Sequence, residues 1–340
     1  MPLEYIVAAI LGVALTVYSL TGGADFGGGV WDLLATGPRA SRQRGVIERA
    51  IAPIWEANHV WLILAVVLMF VSFPRAFAAL GTVLHIPLTL ALIGIVLRGS
   101  AFTFRSYGMD DAAGQRRWSR IFAVSSLLTP FALGTCVGAI ASGRIQMDAA
   151  TGLVVPDFIG PWLAPFPIAV GVFTVVIFAY IAAVYLTLET TDRELQEDFR
   201  RRGLLAGIAL APLAWLTWSL AGDTGSVPPG LMHDTPALIY QVVTAILAVA
   251  ALVALWQRRY SLARILAVAQ IIAILWGWML EQAPTLIAPD LTFTVAAAPD
   301  NILRNLLIVL AIGSVVLLPS FWWLYHLFKT DPDAHADADH

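Results

Sequence analysis

The sequence predicts an all-α membrane protein with about nine transmembrane helices. Apolar residues occupy 59% of the 340 positions, charged residues only 13%, and the mean hydropathy is +0.78. Soluble domains carry roughly 25% charged residues, whereas a helix crosses the hydrocarbon core of a bilayer with about 20 mostly apolar residues. Because helices satisfy their own backbone hydrogen bonds in lipid, we expect a helical bundle. The apolar segments lie at about 4–35, 50–73, 77–102, 118–141, 163–187, 203–221, 236–256, 264–282 and 302–327.

Basic residues predict the orientation of these helices. If nine helices alternate, sixteen of the 20 Lys and Arg residues fall on one side, and only Arg75, Arg144 and Arg304 fall on the other. Cytoplasmic loops carry such an excess of positive charge. We therefore expect the N-terminus outside and the C-terminus in the cytoplasm. The basic loops are 36–49, 103–120, 188–202 and 257–264.

The chain divides into a transmembrane domain, 1–327, and an acidic cytoplasmic tail, 328–340, which we expect to be disordered because it lacks apolar residues. The first segment is expected to be a retained helix, since no basic region precedes it and Glu4 lies at its start. The single cysteine, Cys136, excludes an intrachain disulfide and a metal site built from cysteines. We predict no metal site and no nucleic-acid partner.

Three ionisable residues lie inside the predicted spans. Asp25 is about 11 residues, or roughly 16 Å, above the cytoplasmic end of the first helix, and Glu56 and Arg98 lie at similar depth in the next two helices. Such groups are unfavourable in lipid unless they are paired or functional. Arg98 could serve only as a charge partner that locks the helices together. Alternatively, the carboxylates could exchange protons with the cytoplasm, and two acids against one base favour this second interpretation.

The second helix adds two further candidates for a proton pathway. Asn58 and His59 follow Glu56 within one turn, and His59 is at the i+3 position. These side chains could conduct protons, or they could form a satisfied polar contact between helices. His59 and His85 could also be considered as haem ligands, but they are predicted at different depths. We therefore expect no haem in this chain.

Glycines surround Asp25 in the first helix. Gly23 and Gly27 have the spacing of small residues that lets two membrane helices approach closely. The pattern predicts a tight helix contact at the level of Asp25.

Four stretches together resemble subunit II of the cytochrome bd-type quinol oxidases. Glu56 stands where members of that family often carry aspartate, and His59 replaces a glutamine of some relatives. The acid function is retained with a side chain one methylene longer. The stretches are 21–27 (TGGADFG), 52–62 (APIWEANHVWL), 102–106 (FTFRS) and 283–292 (APTLIAPDLT).

The resemblance implies two four-helix bundles plus a peripheral helix, in a respiratory complex of the bacterial inner membrane. It implies a partner, the haem-bearing subunit I with haems b and d, which oxidises quinol and reduces O₂ with cytoplasmic protons. Asp25 and Glu56 would be acidic members of the proton pathway in this chain, and Trp61 would contact a structural quinone. A small single-helix accessory subunit, membrane lipid and the quinol pool are further expected partners.

Two other functions are compatible with buried acids in a helical bundle. A secondary transporter would couple proton movement to a substrate, although the sequence shows no pair of broken helices in matching halves. A purely structural assembly subunit would use the same charges only for helix pairing.

Overall fold

The computed structural model describes residues 2–51, 55–107, 112–148, 150–222, 235–289 and 291–330. Among these residues, nine helices are long and apolar enough to cross a membrane, which confirms the predicted class. The predicted tail beyond residue 330 and part of the 52–62 stretch lie outside the described residues. The helices are α1 (Leu3–Leu33), α2 (Ala40–Ile51), α3 (Trp55–Ser72), α4 (Pro74–Val83), α5 (His85–Tyr107), α6 (Ala112–Ala141), α7 (Pro165–Leu186), α8 (Arg193–Gly222), α9 (Thr235–Trp256), α10 (Tyr260–Gln282), α11 (Phe293–Ala296) and α12 (Asp300–Thr330).

The spans form two bundles and one outlying helix. Helices α1, α3, α5 and α6 pack together, and α7, α8, α9 and α10 form a second group. The two groups join where α1 and α6 pack against α7, and the largest cluster of buried apolar side chains lies across this contact. Helix α12 touches α1 and α3 and is otherwise largely exposed. This arrangement confirms the predicted architecture.

The predicted basic loops contain additional helix. Helix α2 occupies most of the basic loop 36–49, and its apolar residues Val46, Ile47 and Ile51 are buried. Helix α8 begins at Arg193, within the predicted loop 188–202. Both segments are polar on one face, so their composition resembled a loop although an amphipathic helix can lie along a bundle surface. The side of the bundle that carries α2 and the α7–α8 and α9–α10 connections is called the basic side below.

The third predicted span begins later than expected. The segment 77–102 was predicted to be continuous, whereas the chain forms the short α4, Pro74–Val83, and then a separate span from His85. Pro87 explains the break, because a proline lacks the backbone N–H and its ring collides with the carbonyl of the residue four positions earlier. The span is therefore limited to the part of the segment that follows this break.

On the side opposite α2, the connection between α10 and α12 folds back onto the first bundle. It forms a small antiparallel pair of strands, β1 (Thr285–Ile287) and β2 (Leu291–Thr292), followed by α11. Thr294 donates a hydrogen bond of 3.4 Å to the buried Glu4 carboxylate at the start of α1. In its described residues, the connection between these two spans thus forms a cap on this bundle.

Ion pairs fasten α2 to the beginning of α8. Asp198 accepts two hydrogen bonds from Arg39, at 2.7 and 2.8 Å, and one from Gln43 at 2.7 Å. Gln43 in turn accepts a hydrogen bond of 2.7 Å from Arg202. The hydrogen bond to Asp198 raises the pKa of the Arg39 guanidinium above its ordinary value. These contacts hold α2 against the basic side of the second bundle.

The glycines of α1 allow α7 to approach its backbone. A Cβ atom on Gly23 would lie 2.6 Å from the Phe178 ring. On Gly27 it would overlap the Phe178 carbonyl oxygen and lie 2.7 Å from the Ala182 Cβ. The predicted close helix contact is therefore present, and its partner is α7.

We predict that Gly27→Ala destabilises the assembled protein by about 1–3 kcal/mol, because an added methyl in a packed contact forces the helices apart. The measurement is the thermal unfolding of the purified complex. Gly313→Ala in α12 is the control, since a Cβ there has nothing within 4 Å. Equal unfolding temperatures for the two variants would contradict the tight α1–α7 contact.

Candidate functional site

Asp25 lies buried between the helices at the junction of the two bundles. Its side chain is in the half of α1 nearer the basic side, and the residue is 5% exposed. Asn58 of α3 donates a hydrogen bond of 2.5 Å from Nδ2 to Asp25 Oδ2, and Asn58 is itself fully buried. The close packing of α1 with α3 and α7 thus encloses a carboxylate that has a fixed hydrogen-bond donor.

A cavity of about 970 Å³ connects this carboxylate with the basic side. Asp25 and Asn58 form part of its wall, as does Thr21 one turn away on α1. Its other walls come from the end of α2, the end of α7 with the following connection, and α10. At the basic side the cavity is lined by the charged residues Arg49, Glu189 and Arg264. A carboxylate that borders such a space can exchange protons with water.

Arg98 of α5 is the other buried charge near Asp25. It is 1% exposed, and its guanidinium carbon lies 4.9 Å from the centre of the Phe26 ring and 5.2 Å from that of Phe122. Its Nε and Nη2 atoms have no hydrogen-bond partner within the part of the chain that the structure describes. Asp25 interacts with it electrostatically. Aromatic faces and a nearby anion both stabilise a desolvated cation.

Glu56 is placed differently from Asp25. Its side chain is exposed on the first turn of α3, and it does not line the cavity. Asn58, two residues later, is the α3 side chain that meets Asp25. Two residues advance a helix by about 200°, so Glu56 and Asn58 point in nearly opposite directions. Helix α3 thus presents an amide to Asp25 on one face and a carboxylate on the other face.

His59 is half-buried among aromatic rings. Its ring centre lies 5.9 Å from that of Tyr18, 5.9 Å from Phe26 and 6.2 Å from Trp55. Its Nδ1 atom is buried and has no hydrogen-bond partner among the described residues. The imidazole is therefore next to the Asp25 and Arg98 region but outside the cavity lining.

The remaining candidates occupy separate regions. Trp61 stacks on Phe321 of α12, with ring centres 5.4 Å apart and planes inclined by 23°. His85 begins α5 at the opposite end of the bundle from His59, where its Nδ1 donates to the Thr82 carbonyl at 2.8 Å. In the described ranges, no group of three or more His, Cys, Asp or Glu residues is arranged to hold a metal ion.

The cavity also contains residues that sequence reasoning had not assigned to a site. These residues are far apart in the sequence and line the same cavity only in the folded chain. They are Thr21 of α1, Arg49 of α2, Glu189 of the α7–α8 connection and Arg264 of α10. Arg49 and Arg264 were recognised only as members of basic loops. Their spacing in the sequence carries no signal that they border one cavity.

The fold and the cavity define a multi-pass helical membrane protein with a carboxylate accessible from one side. The chain belongs to the family described as cytochrome bd terminal oxidase subunit II, whose family model matches residues 3–328. This confirms the predicted family, and with it a subunit of a bd-type quinol oxidase in the bacterial inner membrane.

Individual relatives agree with this family. The putative cytochrome bd menaquinol oxidase subunit II of Bacillus subtilis (strain 168) is 21% identical over 324 residues, covering 93% of this chain and 92% of the relative. The cytochrome bd-I ubiquinol oxidase subunit 2 of Escherichia coli (strain K12) is 27% identical over 240 residues, covering 69% of this chain and 62% of that subunit. A chain in the structure of bd oxidase from Geobacillus thermodenitrificans has the same fold, with a TM-score of 0.72 at 22% identity, covering 97% and 99% of the two chains.

The family implies a subunit I partner and haems in that partner. In this chain, the described histidines in the first bundle lie at opposite ends of it, and each faces aromatic rings. This arrangement offers no pair of facing imidazoles for a haem within the described residues.

We predict that Arg98→Gln lowers the stability of the complex by about 3–5 kcal/mol, because it leaves the buried Asp25 carboxylate without its cationic neighbour. The double variant Asp25→Asn with Arg98→Gln should recover part of this loss, since it removes both charges. Thermal unfolding of the purified complex measures both. Additive losses in the double variant would contradict a direct coupling between the two residues.

Proposed function

We propose that this chain supports the haem-bearing subunit I and conducts protons to it from the cytoplasm for the reduction of O₂. The main support for this proposal is the cavity that runs from the basic side to Asp25. The basic side is assigned to the cytoplasm by the positive-inside rule. Asp25 is the first proton acceptor in the pathway, and Asn58 holds its carboxylate in place.

Arg98 is the charge partner that keeps this acid functional. A buried carboxylate without a neighbouring positive charge would hold its proton permanently, whereas a nearby guanidinium favours the ionised form. Because Arg98 is stacked between Phe26 and Phe122, its charge is fixed in position. Asp25 can then bind and release protons in turn.

Glu56 passes the proton on to the partner. An exposed carboxylate on a membrane helix is unfavourable against lipid, so this face of α3 is one that subunit I covers. Asn58, which contacts Asp25, and His59, at the i+3 position from Glu56, complete the pathway across the helix. The catalytic chemistry belongs to haems b and d of the partner, which receive electrons from the quinol pool.

The family membership favours this function over the transporter that the buried acids alone would also fit. A purely structural subunit would use Asp25 and Arg98 only for helix pairing. The two remaining interpretations differ in one property, which is whether turnover depends on the acidity of Asp25 and Glu56.

We predict that Asp25→Asn lowers quinol oxidase turnover roughly tenfold or more while the haem content of the complex stays unchanged, since a positioned proton-transfer group contributes on that order or above. Turnover is measured as O₂ consumption and haem content from the visible spectrum. Glu194→Gln is the control, because this exposed carboxylate pairs with Arg42 on the basic side and is not part of the cavity wall. Full turnover in Asp25→Asn would contradict proton conduction through Asp25 and would favour a purely structural role for the chain.

Glu56→Gln tests the second acid. We expect reduced turnover with intact haem content, and Glu56→Asp should retain activity because it keeps the carboxyl group. The same O₂ consumption assay compares the two variants. Equal turnover of Glu56→Gln and the unmodified complex would remove Glu56 from the pathway.

A structural quinone is proposed to contact Trp61. Support comes from the position of its ring, which stacks on Phe321 between α3 and the peripheral α12 and is only half-buried. Trp61→Leu should lower the amount of quinone that is extracted from the purified complex, and Trp323→Leu, an exposed tryptophan of α12, is the control. An unchanged quinone content in Trp61→Leu would exclude this contact.

A further inference from the structure

The mouth of the Asp25 cavity carries two arginines from different elements. Arg49 lies in the last turn of α2, and Arg264 lies near the beginning of α10. Both are exposed, and neither has a carboxylate within 4.0 Å in the portion of the chain that the structure describes. Other arginines of this side are already paired, such as Arg39 with Asp198 and Arg200 with Glu197. The mouth thus holds two positive charges without a described counter-ion.

The remaining walls of the mouth combine hydroxyl groups with apolar surface. Thr190 and Thr191 follow the end of α7, and Leu188, Ile265 and Val268 provide apolar side chains. Ile265 is exposed on the outer surface of α10, so the apolar wall continues onto the part of that helix that faces lipid. A ligand with both an anionic and an apolar part fits such a mouth.

The acidic residues Glu189 and Asp25 line the same cavity, and no ion pair of 4.0 Å or less joins either of them to the two arginines among the described residues. Glu189 makes an interaction of its own within the folded chain. Asp25 is at the inner end, where Asn58 donates to it. The positive charge at the mouth is therefore available to an external anion.

We propose that this mouth binds one anionic phospholipid, with its phosphate between Arg49 and Arg264 and an acyl chain along Ile265 and Val268. Basic pockets between membrane helices on the cytoplasmic side suit such head groups, and guanidinium groups bind phosphate with charge-assisted hydrogen bonds. The apolar wall that continues from the mouth onto the exposed Ile265 favours a lipid over the free anion. This site does not depend on proton conduction by Asp25.

The experiment compares phosphatidylglycerol binding to variants of the complete oxidase by native mass spectrometry, with phosphatidylcholine as the neutral lipid. Arg49→Gln with Arg264→Gln should weaken phosphatidylglycerol binding roughly 30-fold, or about fivefold for each arginine. Arg193→Gln with Arg259→Gln is the matched control. It changes the net charge equally on the same side, and these exposed arginines are outside the cavity wall.

The proposal is supported if the first double variant loses a tightly bound phosphatidylglycerol that the control retains. Equal weakening of phosphatidylglycerol binding in both variants would show that only the general surface charge matters, and it would contradict a specific site at the mouth. Complete displacement of phosphatidylglycerol by inorganic phosphate would show that the mouth binds a free anion, and this result would also contradict the proposed lipid site. If the glutamine variant does not assemble, Arg49→Lys with Arg264→Lys is used, and it must retain selectivity for phosphatidylglycerol over phosphatidylcholine.

Discussion

The burial of a carboxylate at Asp25 is the constraint on which the rest of the structure depends. A charged side chain at the middle of a membrane helix is unfavourable by about 2.5–3.5 kcal/mol or more unless it is stabilised. Asn58 supplies a hydrogen bond and Arg98 supplies an opposite charge. The flanking glycines allow α7 to close one side, while the cavity leaves the other side accessible. The close packing of the helices and the access of water from the basic side therefore both involve Asp25.

Helix α3 links this buried site to the surface of the chain. Asn58 faces inward and Glu56 faces outward, although the two residues lie within a single turn of the helix. The same helix exposes Ile63, Val66 and Phe70, so an acid stands at one end of an otherwise apolar face. Such a face suits a protein partner better than lipid at the position of the acid, and this agrees with a subunit that functions beside a haem-bearing partner.

The sequence was sufficient for the class, for the nine spans of the described residues and for the buried charges Asp25 and Arg98, because hydropathy and intramembrane charge are local signals. It could not show that Asn58 rather than Glu56 meets Asp25, since the rotation of α3 is decided by packing against α1. It also treated Arg49 and Arg264 as loop residues. Their common cavity depends on how α2 and α10 are placed, and a polar amphipathic helix such as α2 resembles a basic loop in composition.

The central claim is that Asp25 is reached by water from the cytoplasm, and cysteine labelling tests it most directly. Ala24 lines the cavity beside Asp25, so Ala24→Cys in a Cys136→Ser background should react with a membrane-impermeant thiol reagent in inside-out vesicles and not in right-side-out cells. Ala14→Cys on the same helix is buried outside the cavity and should react in neither. Labelling of Ala24→Cys only from the outer side, or from neither side, would contradict the account.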